Sequence, residues 1–180
     1  MRLFKRIAIV AALVAFTGLA IGLFWFVKVH GFSAREKPTV MEAFFARRAR
    51  NLSIPAEAGE KRNPLSATPI ALAEARDHFA DHCAVCHAND GSGMTEMGSN
   101  MYPPTPDMRK PDTQDLTDGQ MFYIIRNGIR FTGMPGWGGE GDENWKLVLF
   151  IRHLPQLTAE EVELMKEINH LGSEEEMSHK

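Results

Sequence analysis

The sequence predicts an all-α protein that begins with one apolar helix long enough to cross a membrane. Residues 7–27 contain no charged side chain, and about 20 apolar residues in a helix span the hydrocarbon core of a bilayer. Further along the chain, apolar side chains recur at the three- and four-residue spacing of helices. These helical patterns begin near Thr39, Pro69, Leu116, Glu143 and Thr158.

The apolar segment is predicted to be an uncleaved membrane anchor, residues 1–30. Three basic residues precede the apolar run, and Phe-Trp-Phe at residues 24–26 lies at its far end, where aromatic rings favour the membrane interface. The alternative is a cleavable signal peptide, because Gly-Leu-Ala at residues 18–20 has a small-x-small form. Cleavage there would leave an apolar stretch at the new N-terminus, so we favour the anchor.

Residues 31–69 are predicted to form a juxtamembrane helix and a linker. Thr39 and Glu42 have the form of a capping box, and the helix behind them is basic and amphipathic. Such a helix suits a surface of anionic headgroups, although its apolar face could instead pack on the protein's own domain. From residue 53 to 69 the composition shifts to Pro, Ala, Glu and Lys without periodicity. A flexible linker of this length would reach about 20–25 Å.

Charge is divided unevenly along the chain. Residues 1–69 carry 11 Lys and Arg against 4 Asp and Glu, whereas residues 70–180 carry 9 against 19, for a net charge of −3. The basic part favours a membrane surface, and the acidic part argues against nucleic acid as a partner.

The only two cysteines lie in the stretch D-H-C-A-V-C-H-A-N-D-G-S-G, residues 81–93. If the helical pattern before them continues, Cys83, Cys86 and His87 share one face, because they are three and four residues apart. Two thiols and an imidazole on one face suit haem: the thiols can add to its two vinyl groups and the imidazole can bind its iron. Since the motif occurs once, it predicts one covalently attached haem c.

Three other chemistries remain open for this motif taken alone. Zinc requires four ligands, which only His78, His82 and His87 could complete beside the cysteines. A thioredoxin-like redox pair would require βαβ patterning, and none is visible around the motif. The third alternative is a structural disulfide between Cys83 and Cys86.

A second axial ligand to the iron is predicted at Met134, in R-F-T-G-M-P-G-W-G-G, residues 130–139. Met134 lies 47 positions after His87, which allows the chain to reach the other face of the haem. Gly133 permits close backbone approach, and Pro135 favours an extended conformation at Met134. The loop methionines Met94, Met97, Met101 and Met108 are predicted to pack, and the alternative ligands are His153, His78 and His82.

These motifs resemble those of class I c-type cytochromes, of the membrane-anchored single-haem kind found in bacterial respiratory chains. The pairing of C-x-x-C-H with a later T-G-M-P-x-W is highly specific, and the resemblance covers about residues 63–157. It is carried by C-A-V-C-H at 83–87, Y-P-P-T-P-D-M-R at 102–109, N-G-I-R-F-T-G-M-P-G-W-G at 127–138 and N-W-K-L-V-L-F-I-R-H-L-P at 144–155.

The resemblance implies a cytochrome c fold, small and all-helical, around one haem c in residues 70–172. His87 would be the proximal axial ligand of the iron and Met134 the distal one. The carbonyl of Pro103 or Pro104 would accept a hydrogen bond from the His87 imidazole.

Some features lie outside the pattern of the family. Ala88 follows the motif where the family commonly has glycine, and Ala75 stands where the first helix often has one. Thr158 and Glu161 form another capping box, which predicts an extra helix over residues 158–171. An acidic solvated tail is expected at 173–180.

The resemblance predicts an electron-transfer protein and not an enzyme, because two protein ligands leave no position on the iron for a substrate. Haem attachment of this kind takes place outside the cytoplasm. We therefore expect a single-pass protein of the bacterial inner membrane, with its haem domain on the periplasmic side. The expected partners are redox proteins with basic docking surfaces.

Two alternative functions stay open. One is a gas-binding or sensing haem protein, in which Met134 leaves the iron. The other is an electron-transfer subunit of a larger dehydrogenase or oxidase complex.

Overall fold

The structure is a computed structural model that describes residues 2–31, 33–139 and 141–169. Over these residues the backbone forms helices and turns and no β-strand, which confirms the predicted all-α class. The chain divides into two compact units, Met1–Glu36 and Lys37–Lys180. The acidic tail predicted at 173–180 and the predicted end of the last helix at 170–171 lie outside the described residues.

The first unit contains one helix, α1, Arg2–His30. Its stretch Arg2–Val29 is long and apolar enough to cross a membrane, with a mean hydropathy of 2.6 and no buried residues in the most apolar window. Length and composition alone would admit a signal sequence as well. The helix fits the predicted membrane anchor.

The second unit is built from short helices joined by glycine-rich loops. The helices are α2 Val40–Ser53, α3 Ala56–Glu60, α4 Pro69–His78, α5 Ala84–His87, α6 Glu96–Ser99, α7 Pro111–Gln114, α8 Asp118–Asn127, α9 Asp142–His153 and α10 Ala159–Asn169, with a π-helical turn at Phe79–Cys83 and a 3₁₀ turn at Leu154–Gln156.

The helix starts follow the capping chemistry of the sequence. The Thr39 hydroxyl accepts from the Glu42 amide at 3.3 Å, and the Glu42 carboxylate accepts from the Thr39 amide at 2.7 Å. Thr158 and Glu161 exchange the same two bonds at the start of α10. Each pair satisfies two of the donors that a helix N-terminus leaves free, so both predicted capping boxes are confirmed.

The core forms where α9 packs against both α4 and α8, with the π-helical turn beside it. Phe79 and Phe150 are almost fully buried, and their ring centroids are 5.2 Å apart. Phe122 of α8 stacks on Trp145 of α9 at 4.2 Å. From α10, Met165 enters this core with no exposed surface. The extra C-terminal helix is therefore an integral part of the second unit.

Part of the segment predicted to be a linker packs against the rest of its unit. Ile54 and Ala58 are buried, and the Thr117 hydroxyl donates to the Gly59 carbonyl at 2.9 Å. The Asn63 side-chain amide donates to the Trp145 carbonyl at 2.8 Å. Small residues here let the backbone of α3 lie directly on α8, a contact that the Pro- and Ala-rich composition does not reveal.

The packed segment gives a stability test at two glycines. A methyl group at Gly119 would overlap the Ala58 carbonyl and lie 2.8 Å from the Lys61 carbonyl, whereas one at Gly59 meets only the Gln120 side chain, at 3.8 Å. We expect Gly119→Ala to lower the free energy of unfolding by about 1–3 kcal/mol. Gly59→Ala should raise it by about 0.5–1 kcal/mol, because alanine favours a helix.

Denaturant unfolding of the haem-loaded protein in detergent measures both effects. Tryptic cleavage after Lys61 should be faster in Gly119→Ala than in the wild type. If the two variants unfold alike and wild-type Lys61 is cleaved at once, the segment is a free linker.

Candidate functional site

Cys83, Cys86 and His87 lie at the C-terminal end of one continuous helical segment. The backbone runs from α4 through the π-helical turn Phe79–Cys83 into α5, and the Ala84 amide donates to the Phe79 carbonyl five residues earlier. Turns of this kind are often found at functional sites. Cys83 keeps helical dihedrals, φ −102° and ψ −34°. Cys83, Cys86 and His87 therefore share one face, as the spacing predicts.

Both cysteines are free thiols of intermediate exposure. Burial, and secondly the neighbouring Cys86, raise the pKa of Cys83 to about 12. Burial also raises the pKa of Cys86. Neither residue is a thiolate at neutral pH, and a thiol redox pair depends on a lowered pKa. The pair therefore does not fit redox exchange.

His87 is held in the form that can bind a metal. Burial lowers the pKa of its imidazole to about 4, so the ring is neutral at pH 7. Its Nδ1 atom is buried without a hydrogen-bond partner, so the hydrogen bond that the imidazole was expected to donate to the carbonyl of Pro103 or Pro104 is not made. Two protonated thiols beside a neutral, incompletely bonded imidazole fit the attachment of haem c.

The other nearby histidines do not complete a zinc site. His78 and His82 lie with ring centroids 4.8 Å apart, and His82 is 3.2 Å from the Asp81 carboxylate. In the part of the chain that the structure describes, no group of three or more Cys, His, Asp and Glu side chains is placed to hold a metal ion.

The loop after the motif folds back to satisfy the end of its helix. The Thr95 hydroxyl donates to the Val85 carbonyl at 2.8 Å, and the Gly93 amide donates to the His87 carbonyl at 2.8 Å. A methyl group on Gly98 would overlap the Cys86 carbonyl. Glycine is required there because the loop backbone lies directly against the helix end.

Ala88 makes the turn that allows this return. Its dihedrals, φ 60° and ψ 159°, fall in a region that is essentially restricted to glycine. The next residue, Asn89, is buried, and its side-chain oxygen accepts from the Asn169 amide group at 2.6 Å. Asn169 also donates to the Ala80 carbonyl at 2.8 Å, so α10 fixes both the π-helical turn and the bend after the motif.

A second loop presents Met134. The Met134 carbonyl accepts from the Ile129 amide at 3.1 Å, and the Met134 amide donates to the Thr132 hydroxyl at 3.1 Å. The Trp137 amide donates to the Ile125 carbonyl of α8 at 3.0 Å. The backbone around the half-buried Met134 is therefore held on both sides.

Glycines allow this loop to lie directly on the end of α8. Gly128 has φ +68°, and a methyl group there would lie 2.6 Å from the backbone of Pro135 and Gly136. One on Gly136 would lie 2.8 Å from the Asn127 carbonyl. A side chain at either position would push the Met134 loop away from the helix.

An aromatic contact links the cysteine motif to the Met134 loop. The ring of Trp137 meets the ring of His82 edge-on, with centroids 5.6 Å apart. His82 immediately precedes Cys83, so the Met134 loop and the cysteine motif lie at the same end of α4. Beside Met134, the Met101 sulfur occupies the space that a methyl group on Gly133 would need.

An all-helical unit with this motif has the features of a cytochrome c domain, the class of domain that implies covalently attached haem c. Comparison with protein families agrees, since residues 71–151 match the family model described as cytochrome c oxidase, cbb3-type, subunit III. The presence of a cytochrome c domain is evidence for a function in electron transfer. Comparison with curated proteins gives no match.

Several residues that shape the site were not predicted from the sequence. The π-helical turn has no pattern that marks it, and the Asn89–Asn169 pair joins residues 80 positions apart. The run of Gly91, Gly93 and Gly98 after the motif is a signal that could have indicated close packing, because closely spaced glycines often mark tight backbone approach.

The strained bend gives a second test. We expect Ala88→Gly to raise the free energy of unfolding by about 1 kcal/mol, because glycine adopts these dihedrals without a steric penalty. Ala84→Gly is the matched control four residues earlier: it is fully buried in helix and should lower stability by about 1–2 kcal/mol. Denaturant midpoints of the haem-loaded variants measure both. Equal destabilisation by the two glycines would show that Ala88 is unstrained.

Proposed function

We propose that this chain is a membrane-tethered c-type cytochrome that carries single electrons between respiratory-chain or dehydrogenase partners. The observation that carries the proposal is that Cys83, Cys86 and His87 lie on one helical face. The contact between Trp137 and His82 brings the Met134 loop to the same end of that helix. Haem c supplies a single iron that accepts and releases one electron.

Each residue of the site has a distinct role in this proposal. Cys83 and Cys86 would hold the haem through thioether bonds, which form by addition of each S–H across one vinyl group without loss of atoms. His87 and Met134 would be the two protein ligands of its iron. The buried, neutral imidazole needs no deprotonation to bind the iron.

The surroundings of the site suit repeated electron transfer without large rearrangement. Both ligands belong to backbone segments held by hydrogen bonds to neighbouring elements, at the Gly93–His87 and Ile129–Met134 pairs. With the Met134 thioether as its second protein ligand, the iron would have no position left for a substrate. A thioether ligand would also favour a relatively high reduction potential. The acidic balance of residues 70–180 favours partners with basic docking surfaces.

A second candidate follows from the family match. The matched family is described as a subunit of a cbb3-type cytochrome c oxidase, so the chain could serve as the electron-accepting arm of a terminal oxidase complex. Purification in mild detergent distinguishes these two candidate functions. A free electron carrier elutes alone, whereas a subunit co-elutes with oxidase polypeptides and with oxygen-reducing activity.

For either candidate, α1 is proposed as a single-pass anchor in the bacterial inner membrane, with Lys37–Lys180 on the periplasmic side. The length and hydropathy of Arg2–Val29 support this placement. So does haem attachment, which takes place outside the cytoplasm in the class that the sequence resembles.

The ligand assignment is tested by replacing Met134 with leucine, which keeps the volume of the side chain but removes its sulfur. In the full chain matured with haem-ligation machinery, the wild type should show the methionine–iron charge-transfer band of oxidised His/Met haem. Met134→Leu should lose that band, have a lower reduction potential and bind CO in the reduced state.

Met101→Leu is the matched control, since the Met101 sulfur lies against Gly133 in the same loop. It should retain the band. Loss of the band in Met101→Leu but not in Met134→Leu would transfer the ligand role to Met101. Rapid CO binding by the reduced wild type at neutral pH would instead support the gas-sensing alternative.

A further inference from the structure

Helix α2, Val40–Ser53, presents an apolar side to solvent. Val40 is 84% exposed, Met41 63% and Leu52 86%, and none of the helix residues is fully buried. Phe44 and Phe45 continue the same side, with their ring centroids 5.5 Å apart. The alternative in which this apolar face packs on the protein's own domain is therefore not what the structure shows.

The opposite side of α2 is fixed to the rest of its unit. The Tyr102 hydroxyl donates to the Glu42 carboxylate at 3.1 Å, and Arg47 forms a 2.8 Å ion pair with Asp112 of α7. Arg50 is half-buried on this side, and burial lowers the pKa of its guanidinium against the opposing effect of Asp112. The helix is therefore attached by its polar side to the loop around Tyr102 and to α7.

Arg48 lies in the middle of the exposed apolar side, with its guanidinium 5.4 Å from the centroid of the Phe44 ring. A protein partner covering this side would need a buried acidic group for that charge. At a lipid surface, the guanidinium can reach phosphate oxygens while its stem and the neighbouring rings stay among acyl chains.

The chain also keeps α2 close to the membrane. Nine residues separate His30, at the end of α1, from Val40, and such a segment spans at most about 30–36 Å when fully extended. This connection carries Arg35, Glu36 and Lys37, so it adds a net positive charge next to α2.

We propose that the outward side of α2 lies in the headgroup layer of the anionic membrane that anchors α1. Because α2 is bonded to the Tyr102 loop and to α7, it would hold Lys37–Lys180 in one orientation, with that side of the unit towards the bilayer. The inference rests on the membrane tether proposed above and adds to it a second, orienting contact.

Spin labelling of the full, haem-loaded chain tests the orientation. The native cysteines are consumed by haem, so a single introduced cysteine can carry a nitroxide: Met41→Cys on the apolar side, and Ala46→Cys on the opposite side of the same helix as the matched control. The protein is reconstituted in vesicles of phosphatidylcholine and phosphatidylglycerol, and collisions with oxygen and with a charged nickel chelate are measured by power saturation.

The ratio of oxygen to nickel accessibility should be several-fold higher at position 41 than at position 46. Replacing phosphatidylglycerol with phosphatidylcholine, or introducing Arg48→Glu, should reduce that difference. Equal ratios at the two positions would overturn the proposal. Exclusion of both reagents from position 41 would also overturn it, because it would show a protein partner or a second copy on this side.

Membrane insertion of α1 is measured separately by carbonate extraction of the same vesicles. Retention of the protein in the membrane with equal label ratios would refute only the orienting contact. Release of the protein by carbonate would contradict the membrane tether itself.

Discussion

The helix that carries Cys86 and His87 ends immediately after them, and its terminal carbonyls must find donors close to the haem site. Unpaired buried carbonyls cost about 1–3 kcal/mol each. The site therefore requires the following loop to fold back onto the end of this helix. Thr95 and Gly93 supply the donors. This return in turn requires the bend at Ala88 and the absence of a side chain at Gly98. The orientation of the helix end that carries Cys86 and His87 is therefore set by the loop that packs against it.

The Met134 loop is positioned by a similar arrangement at the end of α8. It lies on the end of α8 through backbone contacts that glycines permit, and Trp137 then reaches the helix that carries the cysteines. The extra helix α10 completes the support, since Asn169 bonds both the π-helical turn and the bend after the motif. The end of α5 carries one proposed ligand, His87, and a short loop carries the other, Met134. Hydrogen bonds to neighbouring segments hold both, which suits a centre that changes its charge without large rearrangement.

Local sequence signals predicted much of this architecture. Capping boxes identified the starts of α2 and α10, and apolar spacing indicated α4, α8 and α9, because these features depend on residues a few positions apart. The C-x-x-C-H spacing likewise placed three side chains on one face. The packing of residues 54–63 on α8 was not predicted, since it depends on the small residues Ala58 and Gly119 in two distant segments. The missing partner of His87 Nδ1 also follows from tertiary contacts and not from local pattern, whereas the amphipathic pattern of α2 had already favoured an outward apolar side.

The most direct test is mass spectrometry of the tryptic peptide from Asp77 to Arg109, which contains both cysteines and no internal Lys or Arg. The full chain should be purified from a bacterium with haem-ligation machinery and alkylated before digestion. Thiol addition to vinyl groups loses no atoms, so the peptide should carry one intact haem, with neither Cys83 nor Cys86 alkylated. A peptide without haem and with both thiols alkylated would contradict the account.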